Sequence, residues 1–247
     1  MSGHSKWSTI KRRKGALDAK RGKIFTKLIK EITISTKEGG ADSETNPRLR
    51  LAVQNAKGAN MPKDTIERAI NKGGDKDGAN FSEVTYEGYG LNGVAIFVEC
   101  TTDNINRTVS NVRATFSKHN GTLGNNGSLE FIFDRKGIFT LPAPDNKDED
   151  EFILELIDGG AEDVGFDEGY VTITTAMEDF GNMQKKLDAM NIEVENAELQ
   201  RIPNTFVSLD DETFWKVMKS IDALEDDDDV QKVYHNIDAT DGQLASL

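Results

Sequence analysis

The chain has 247 residues, of which 36% are hydrophobic and 30% charged, and its formal net charge is −13. That composition supports one large core or two to three modest ones. No apolar run approaches the roughly 18–20 residues of a membrane helix, so a transmembrane helix is not expected. The single cysteine, Cys100, excludes an internal disulfide, and no apolar signal core accompanies the basic residues that begin at Lys6. Both features point to the cytoplasm.

The net charge conceals a segregation of sign. Residues 1–72 hold 17 Lys/Arg against 7 Asp/Glu, whereas residues 73–247 hold 13 against 36. In residues 1–37 the 11 basic side chains face only Asp18 and Glu31. One end of the chain therefore attracts a polyanion that the remainder repels.

In chain order, the first strong helix is expected over 17–35. Leu17, Ile24, Phe25, Leu28, Ile29 and Ile32 recur at three- and four-residue spacing and share one face. Lys20, Lys23, Lys27 and Lys30 fall on the opposite face, with Arg21 on the apolar side, where its stem can pack and its head reach water. Gly39-Gly40 ends this element. A second helix is expected after Asn46, with Pro47 in its first turn and Leu49, Val53 and Ala56 on one side. A third begins near Met61-Pro62 and turns Ile66, Ala69 and Ile70 inward, and the Gly- and Asp-rich residues 73–78 read as a linker.

From about Tyr86 short strands alternate with helices. Residues 93–100 read as a buried strand, and Asp103 can cap a helix holding Val109, Val112 and Phe116. Residues 129–133 and 137–141 read as strands, 148–157 as a helix and 170–174 as a strand. A helix over 177–190 and a strand over 193–202 follow, then a last helix from Asp210-Asp211 and a strand over 230–237. The polar residues after Ile237 are expected to fray. This alternation suits an α+β fold with two ferredoxin-like modules, in which helices cover one face of an antiparallel sheet.

The richest chemistry is Gly3-His-Ser-Lys-Trp7, followed by Lys11-Arg-Arg-Lys14 and Lys20-Arg-Gly-Lys23. Clustered cations bind phosphate backbones through counterion release. Trp7 can stack on a base or pack in the helical core; His4 can contact the same ligand or cap a turn. The expected nucleic-acid-binding set is His4, Lys6, Trp7, Lys11, Arg12, Arg13, Lys14, Lys20, Arg21, Lys23, Lys27 and Lys30, extended by Arg48 and Arg50. The last two, at i and i+2 on a helix, point in different directions, so at most one reaches the same ligand, and salt-bridging to neighbouring acids is the equal alternative.

No Walker-type phosphate loop or G-x-S-x-G elbow occurs, and the three histidines lack metal-ligand spacing, so no catalytic residue, metal or cofactor is expected. The run Glu225-Asp-Asp-Asp-Asp229 reads as a solvated loop near a helix end. Tyr86-Glu-Gly-Tyr-Gly90 reads as a turn.

Several stretches resemble the YebC/PmpR family: Gly3-His-Ser-Lys-Trp7, Lys20-Arg-Gly-Lys-Ile-Phe-Thr-Lys27, Asn46-Pro-Arg-Leu-Arg50, Tyr86-Glu-Gly-Tyr-Gly90, Asp103-Asn-Ile-Asn-Arg-Thr108 and Asp228-Asp-Val-Gln-Lys-Val-Tyr-His-Asn236. The resemblance runs from Met1 to about Ile237. It implies three domains: a helical domain at 1–77 and two ferredoxin-like α/β sandwich domains, one at 135–203 inserted into a discontinuous one at 78–134 plus 204–247. It also implies a non-enzymatic role without an obligate cofactor. Members are described as transcriptional regulators that bind promoter DNA, and relatives, including a mitochondrial translational activator, act at the ribosome. DNA, ribosomal RNA and the ribosome are thus the expected partners. The lysine row carries no Asn or Gln to read adenine edges, which favours phosphate gripping and structured RNA.

Overall fold

The computed structural model describes residues 21–75, 81–144, 149–167 and 169–246. The described residues of Met1–Lys27, Asp77–Asp134 and Ile202–Leu247 form one compact unit, and those of Leu28–Lys76 and Arg135–Arg201 form a second.

In the first unit, β1 (Ser82–Tyr89) and β2 (Ala95–Thr102) make an antiparallel hairpin in register from Ser82↔Thr102 to Tyr89↔Ala95. Asn92 and Gly93 turn the chain with φ of 55° and 75°, a conformation open to these two residue types. Helix α4 (Ile105–Lys118) then carries the chain to β3 (Thr122–Leu123), which pairs with β1 rather than β2. After α7 (Asp211–Glu225), β9 (Val230–His235) joins the free edge of β2, giving the order β3-β1-β2-β9. Strand β1 therefore lies between two strands joined by a helix. This is the spatial order of a ferredoxin-like sandwich, with its central inserted strand placed first in the chain.

Alternation on β2 sets the two faces of this sheet. Ile96, Val98 and Cys100 meet Val112 and Phe116 of α4 and Phe214, Val217, Met218 and Ile221 of α7 in one core. On the other face, Phe97 meets Phe133 edge-on with ring centroids 6.1 Å apart. Glu87, opposite Phe97 in register, is buried there. Its carboxylate accepts the backbone N–H groups of Gly127 at 2.7 Å and Leu129 at 2.6 Å.

That carboxylate corrects one expectation. Residues 129–132, read as part of a strand from their apolar run, form a turn: the Leu129 N–H is taken by Glu87 and the Ile132 N–H by Leu129 O at 2.9 Å, rather than by a neighbouring strand. Leu129 and Ile132, three apart, are buried, while Phe131 between them is 71% exposed. Of the Tyr86–Gly90 stretch, read as a turn, Tyr86 to Tyr89 are instead the end of β1. Glycine is required there: a Cβ on Gly88 would lie 2.6 Å from the Thr122 carbonyl oxygen and 2.7 Å from Phe116 Cε1.

The second unit is built on β4 (Phe133–Pro142) from Arg135 onward, α5 (Glu149–Asp158), β5 (Ala161–Asp167), β6 (Tyr170–Ala176), α6 (Phe180–Ala189) and β7 (Asn196–Pro203) as far as Arg201. Strand β6 is antiparallel to both β4 and β5, in the order β5-β6-β4-β7, the ferredoxin-like arrangement. Phe139 and Leu141 of β4 and Val171 and Ile173 of β6 pack against Phe152, Leu156, Met183 and Leu187 of the two helices. Phe139 stacks on Phe180 with centroids 4.7 Å apart. Strand β5 was not expected. Its acids and glycine have low strand propensity, and pairing with β6 stabilises it instead.

Among the described residues, three helices lie ahead of β1 in the chain: α1 (Arg21–Gly39), α2 (Pro47–Gly58) and α3 (Lys63–Gly74). The division between the units falls within α1, after Lys27. Asn46 caps α2 by accepting from Leu49 N at 3.0 Å, and its amide donates to the carbonyls of Ser35 and Gly40 at 2.7 and 2.8 Å. One buried side chain thus fixes the turn between two helices. Asn55 of α2 exchanges two hydrogen bonds with the Ala197 backbone, at 2.8 and 2.9 Å, covering the edge of β7.

Two further expectations are corrected. Helix α4 is capped by Asn104, whose side chain accepts from Arg107 N at 3.1 Å, and Asp103 instead binds the Arg107 guanidinium at 2.8 Å. The residues after Ile237 do not all fray. A second, parallel pair of strands, β8 (Val207–Ser208) and β10 (Ile237–Asp238), leads into α8 (Asp241–Ala245). Gln243 of that helix is buried and donates to Leu209 O at 3.0 Å and Asp211 Oδ1 at 2.9 Å, while Leu244 enters the core.

Overpacking at a close backbone approach costs about 1–3 kcal/mol. Gly88→Ala should therefore lower the urea midpoint of the full chain with little change in slope. An unchanged midpoint would contradict the contact between β1, Thr122 and Phe116.

Candidate nucleic-acid interface

Most of the predicted binding set, His4, Lys6, Trp7, Lys11, Arg12, Arg13, Lys14 and Lys20, lies outside the described residues, as does the side chain of Arg21. The structure places Lys23, Lys27, Lys30, Arg48 and Arg50.

The first turns of α1 carry Lys23 and Lys27 on one face, at i and i+4. Lys23 Nζ donates to Asp226 Oδ1 at 2.5 Å. Lys27 Nζ donates to the main-chain oxygen of Glu225, at 3.4 Å. Glu225 is the last residue of α7, where unpaired carbonyls concentrate the negative end of the helix dipole. Burial pushes the Lys27 ammonium below its usual pKa, and the carboxylates of Glu225 and Asp226 oppose that shift only in part.

These contacts correct the expected orientation of the lysine row. At Lys23 and Lys27 the cationic face meets the acidic end of α7, and Ile24, expected inside, is 38% exposed. Periodicity divides a helix into two faces without saying which one is covered. Lys30 is half-buried. Beyond it, Ile32, Thr33, Ile34, Ser35 and Thr36 are all buried, so this stretch of α1 has no solvent face. The Thr33 and Ser35 hydroxyls return to Ile29 O and Glu31 O at 2.8 Å, which lets polar residues sit inside a helix pair.

Arg48 and Arg50 take different directions. Arg48 bridges two carboxylates of α1, Glu31 at 2.9 Å and Glu38 at 2.7 Å. Arg50 is exposed and donates at 3.4 Å to the carbonyls of Ser43 and Glu44. Arg48 is therefore a brace between α1 and α2. Arg50 keeps an outward guanidinium.

Sequence reasoning missed the role of the acidic run. Asp229 is buried and accepts Arg107 Nε at 3.1 Å, Arg107 Nη2 at 2.6 Å and Thr108 Oγ1 at 3.0 Å. Its carbonyl accepts Thr101 N at 2.8 Å. Asp227 accepts Asp229 N at 2.9 Å and Asn111 Nδ2 at 3.0 Å. The run is therefore not simply a solvated loop. Two of its carboxylates tie the end of α7 to α4, and Asp226 is left to meet Lys23. The pairing joins the Asp103–Thr108 motif to the Asp228–Asn236 motif. No spacing rule within one sequence announces such a contact.

The positive charge is thus narrowly placed. Residues 1–27 hold nine Lys/Arg and one acid, Asp18, against 21 Lys/Arg and 42 Asp/Glu in the rest of the chain. No helix among the described residues is long and apolar enough to cross a membrane.

The burial of Lys27 makes stability depend on pH. Its folded-state pKa lies below the unfolded value near 10.5. Between the two, the unfolded chain binds more protons, and stability rises with pH. Lys27→Met removes the cost of burying the charge. It should raise the urea midpoint at pH 7, with the gap to wild type closing as pH approaches 10.5. A lower midpoint at pH 7 would show that attraction to Glu225 and Asp226 outweighs burial.

Family models match nearly the whole chain: the N-terminal domain of TACO1/YebC proteins over residues 5–76, and their second and third domains over residues 81–237. A protein of Amoebophilus asiaticus named "Probable transcriptional regulatory protein" is 61% identical over 96% of this chain and 98% of its own length. The Bacillus subtilis protein "Probable transcriptional regulatory protein YrbC" is 48% identical over 96% of this chain and 99% of its own. Among solved structures, a conserved hypothetical protein of Aquifex aeolicus superposes with a TM-score of 0.81 at 45% identity, covering 91% of this chain and 93% of that one.

Proposed function

The chain belongs to the TACO1/YebC family, and we propose that it is a non-enzymatic regulator of gene expression that binds DNA through its basic N-terminal segment. The observation that carries this reading is the confinement of nine Lys/Arg to residues 1–27 on an otherwise strongly anionic chain. Phosphate binding draws on clustered cations and released counterions, and the anionic modules would repel the same ligand. The regulatory role is supported by the names of relatives that match this chain over nearly its full length. The partly buried Lys27 is consistent with it: a charge held at a cost to stability suggests a role beyond folding.

A second reading, an RNA- or ribosome-bound translation factor, is favoured by the chemistry of the same segment. Lysines are point charges that grip phosphates, and α1 adds no Asn or Gln between Lys20 and Lys30 to read base edges. Shape-specific contact with folded RNA needs no such readout.

The test replaces Lys6, Lys11, Arg12, Arg13 and Lys14 by Gln in the full chain and titrates a promoter-length DNA duplex and a folded RNA hairpin. Each lost phosphate contact lowers the slope of log affinity against log salt by about 0.7–0.9. The five-fold variant should therefore lose several units of slope and about 100-fold or more in affinity near physiological salt. Unchanged affinity would refute the assignment, and the tighter of the two probes selects between the readings.

A further inference from the structure

The contact between α1 and the acidic end of α7 has the geometry of a competitor. Lys23 and Lys27 sit one turn apart, and each is met by an acceptor on the opposing element: the Asp226 carboxylate and the Glu225 carbonyl. A nucleic-acid backbone offers acceptors of the same kind, since a phosphate oxygen takes an ammonium proton as a carboxylate does. Lys23 and Lys27, two of the lysines that the nucleic-acid reading assigns to a ligand, are occupied in this structure by the chain itself.

The acidic run divides into two classes of side chain. Asp227 and Asp229 are engaged by Asn111, Arg107 and Thr108 and hold the end of α7 to α4. Asp226 turns toward Lys23 instead, and both members of that pair stay open to solvent, at 44% for Lys23 and 66% for Asp226. An ion pair so exposed is weak and screened by salt. It can be exchanged for an external anion without dismantling the fold.

We propose that Asp226 occupies the place of a backbone phosphate on Lys23, so that the acidic end of α7 competes with nucleic acid for the first turns of α1. The proposal rests on the nucleic-acid reading above and adds a site and a control. Lys23 and Lys27 form a phosphate subsite, and the carboxylate on it sets a threshold that weak, non-specific polyanions do not cross. Specificity here comes from a repulsive element as much as from an attractive one.

The experiment measures binding of the full chain to a 30-base-pair DNA duplex and to an RNA hairpin of similar size by fluorescence anisotropy, at about 50 mM and about 200 mM salt. Four proteins are compared: wild type, Asp226→Asn, Lys23→Gln, and the double variant. D226N should bind about 2–5-fold tighter than wild type at the lower salt, the range that an exposed ion pair commands. The gain should shrink at the higher salt. Introduced into K23Q, the same substitution should give a clearly smaller gain, because the carboxylate acts chiefly through Lys23, its hydrogen-bond partner, and only at longer range on Lys27.

Wild-type binding that is unchanged in D226N overturns this inference alone and leaves the nucleic-acid reading intact. An equal gain with and without Lys23 also overturns it, showing a diffuse charge effect instead of a shared site. Absence of binding by every protein to either probe overturns the nucleic-acid reading and this inference together. Unfolding midpoints of the four proteins accompany the titrations. D226N should stay close to wild type, so a gain in affinity cannot be attributed to unfolding of α7.

Discussion

A polyanion and a body carrying twice as many acids as bases repel each other over the distances that physiological salt leaves unscreened, about 8 Å. A phosphate backbone can therefore approach this molecule only where cations are crowded, and they are crowded in residues 1–27. Two four-stranded sandwiches, built from two separate helix-covered cores, follow as an anionic mass. The segregation assigns the modules different tasks. On the proposed reading, the basic end of the chain is the part suited to phosphate.

The buried polar groups explain why the most distinctive sequence stretches are where they are. Glu87 receives two backbone N–H groups of the turn before β4; Asn46 closes the corner between α1 and α2; Asp229 gathers Arg107 and Thr108; Asn236 accepts Ala95 N at 2.8 Å and fixes the start of β2. Each is a group whose loss would leave a buried partner unsatisfied, at a cost greater than the bond itself is worth. Motifs that mark the family are, at these positions, devices that hold loops in place. Their specificity as sequence signals therefore says more about the architecture than about the ligand.

Much of the fold was legible from local rules. Asn46-Pro47 announced α2, Gly39-Gly40 ended α1, and alternating strands and helices indicated ferredoxin-like sandwiches. The departures occurred where a distant group overrode a local pattern. Leu129 to Ile132 had the composition of a strand, and a carboxylate 42 residues earlier claimed the N–H of Leu129. The acids of β5 concealed a strand that β6 completes. At the candidate site the lysine face of α1 was readable, but its partner was not. Asp226 lies 203 residues away from Lys23, and no period within α1 could reveal it.

The central claim is that nucleic acid lies along the basic N-terminal segment and leaves the anionic sandwiches bare. Hydrogen–deuterium exchange of the full chain, with and without saturating DNA or folded RNA, tests it most directly. The account predicts slowed exchange in peptides from residues 1–30 and unchanged exchange across the strands of both sheets. Protection concentrated in the sheets, with none in residues 1–30, would contradict it.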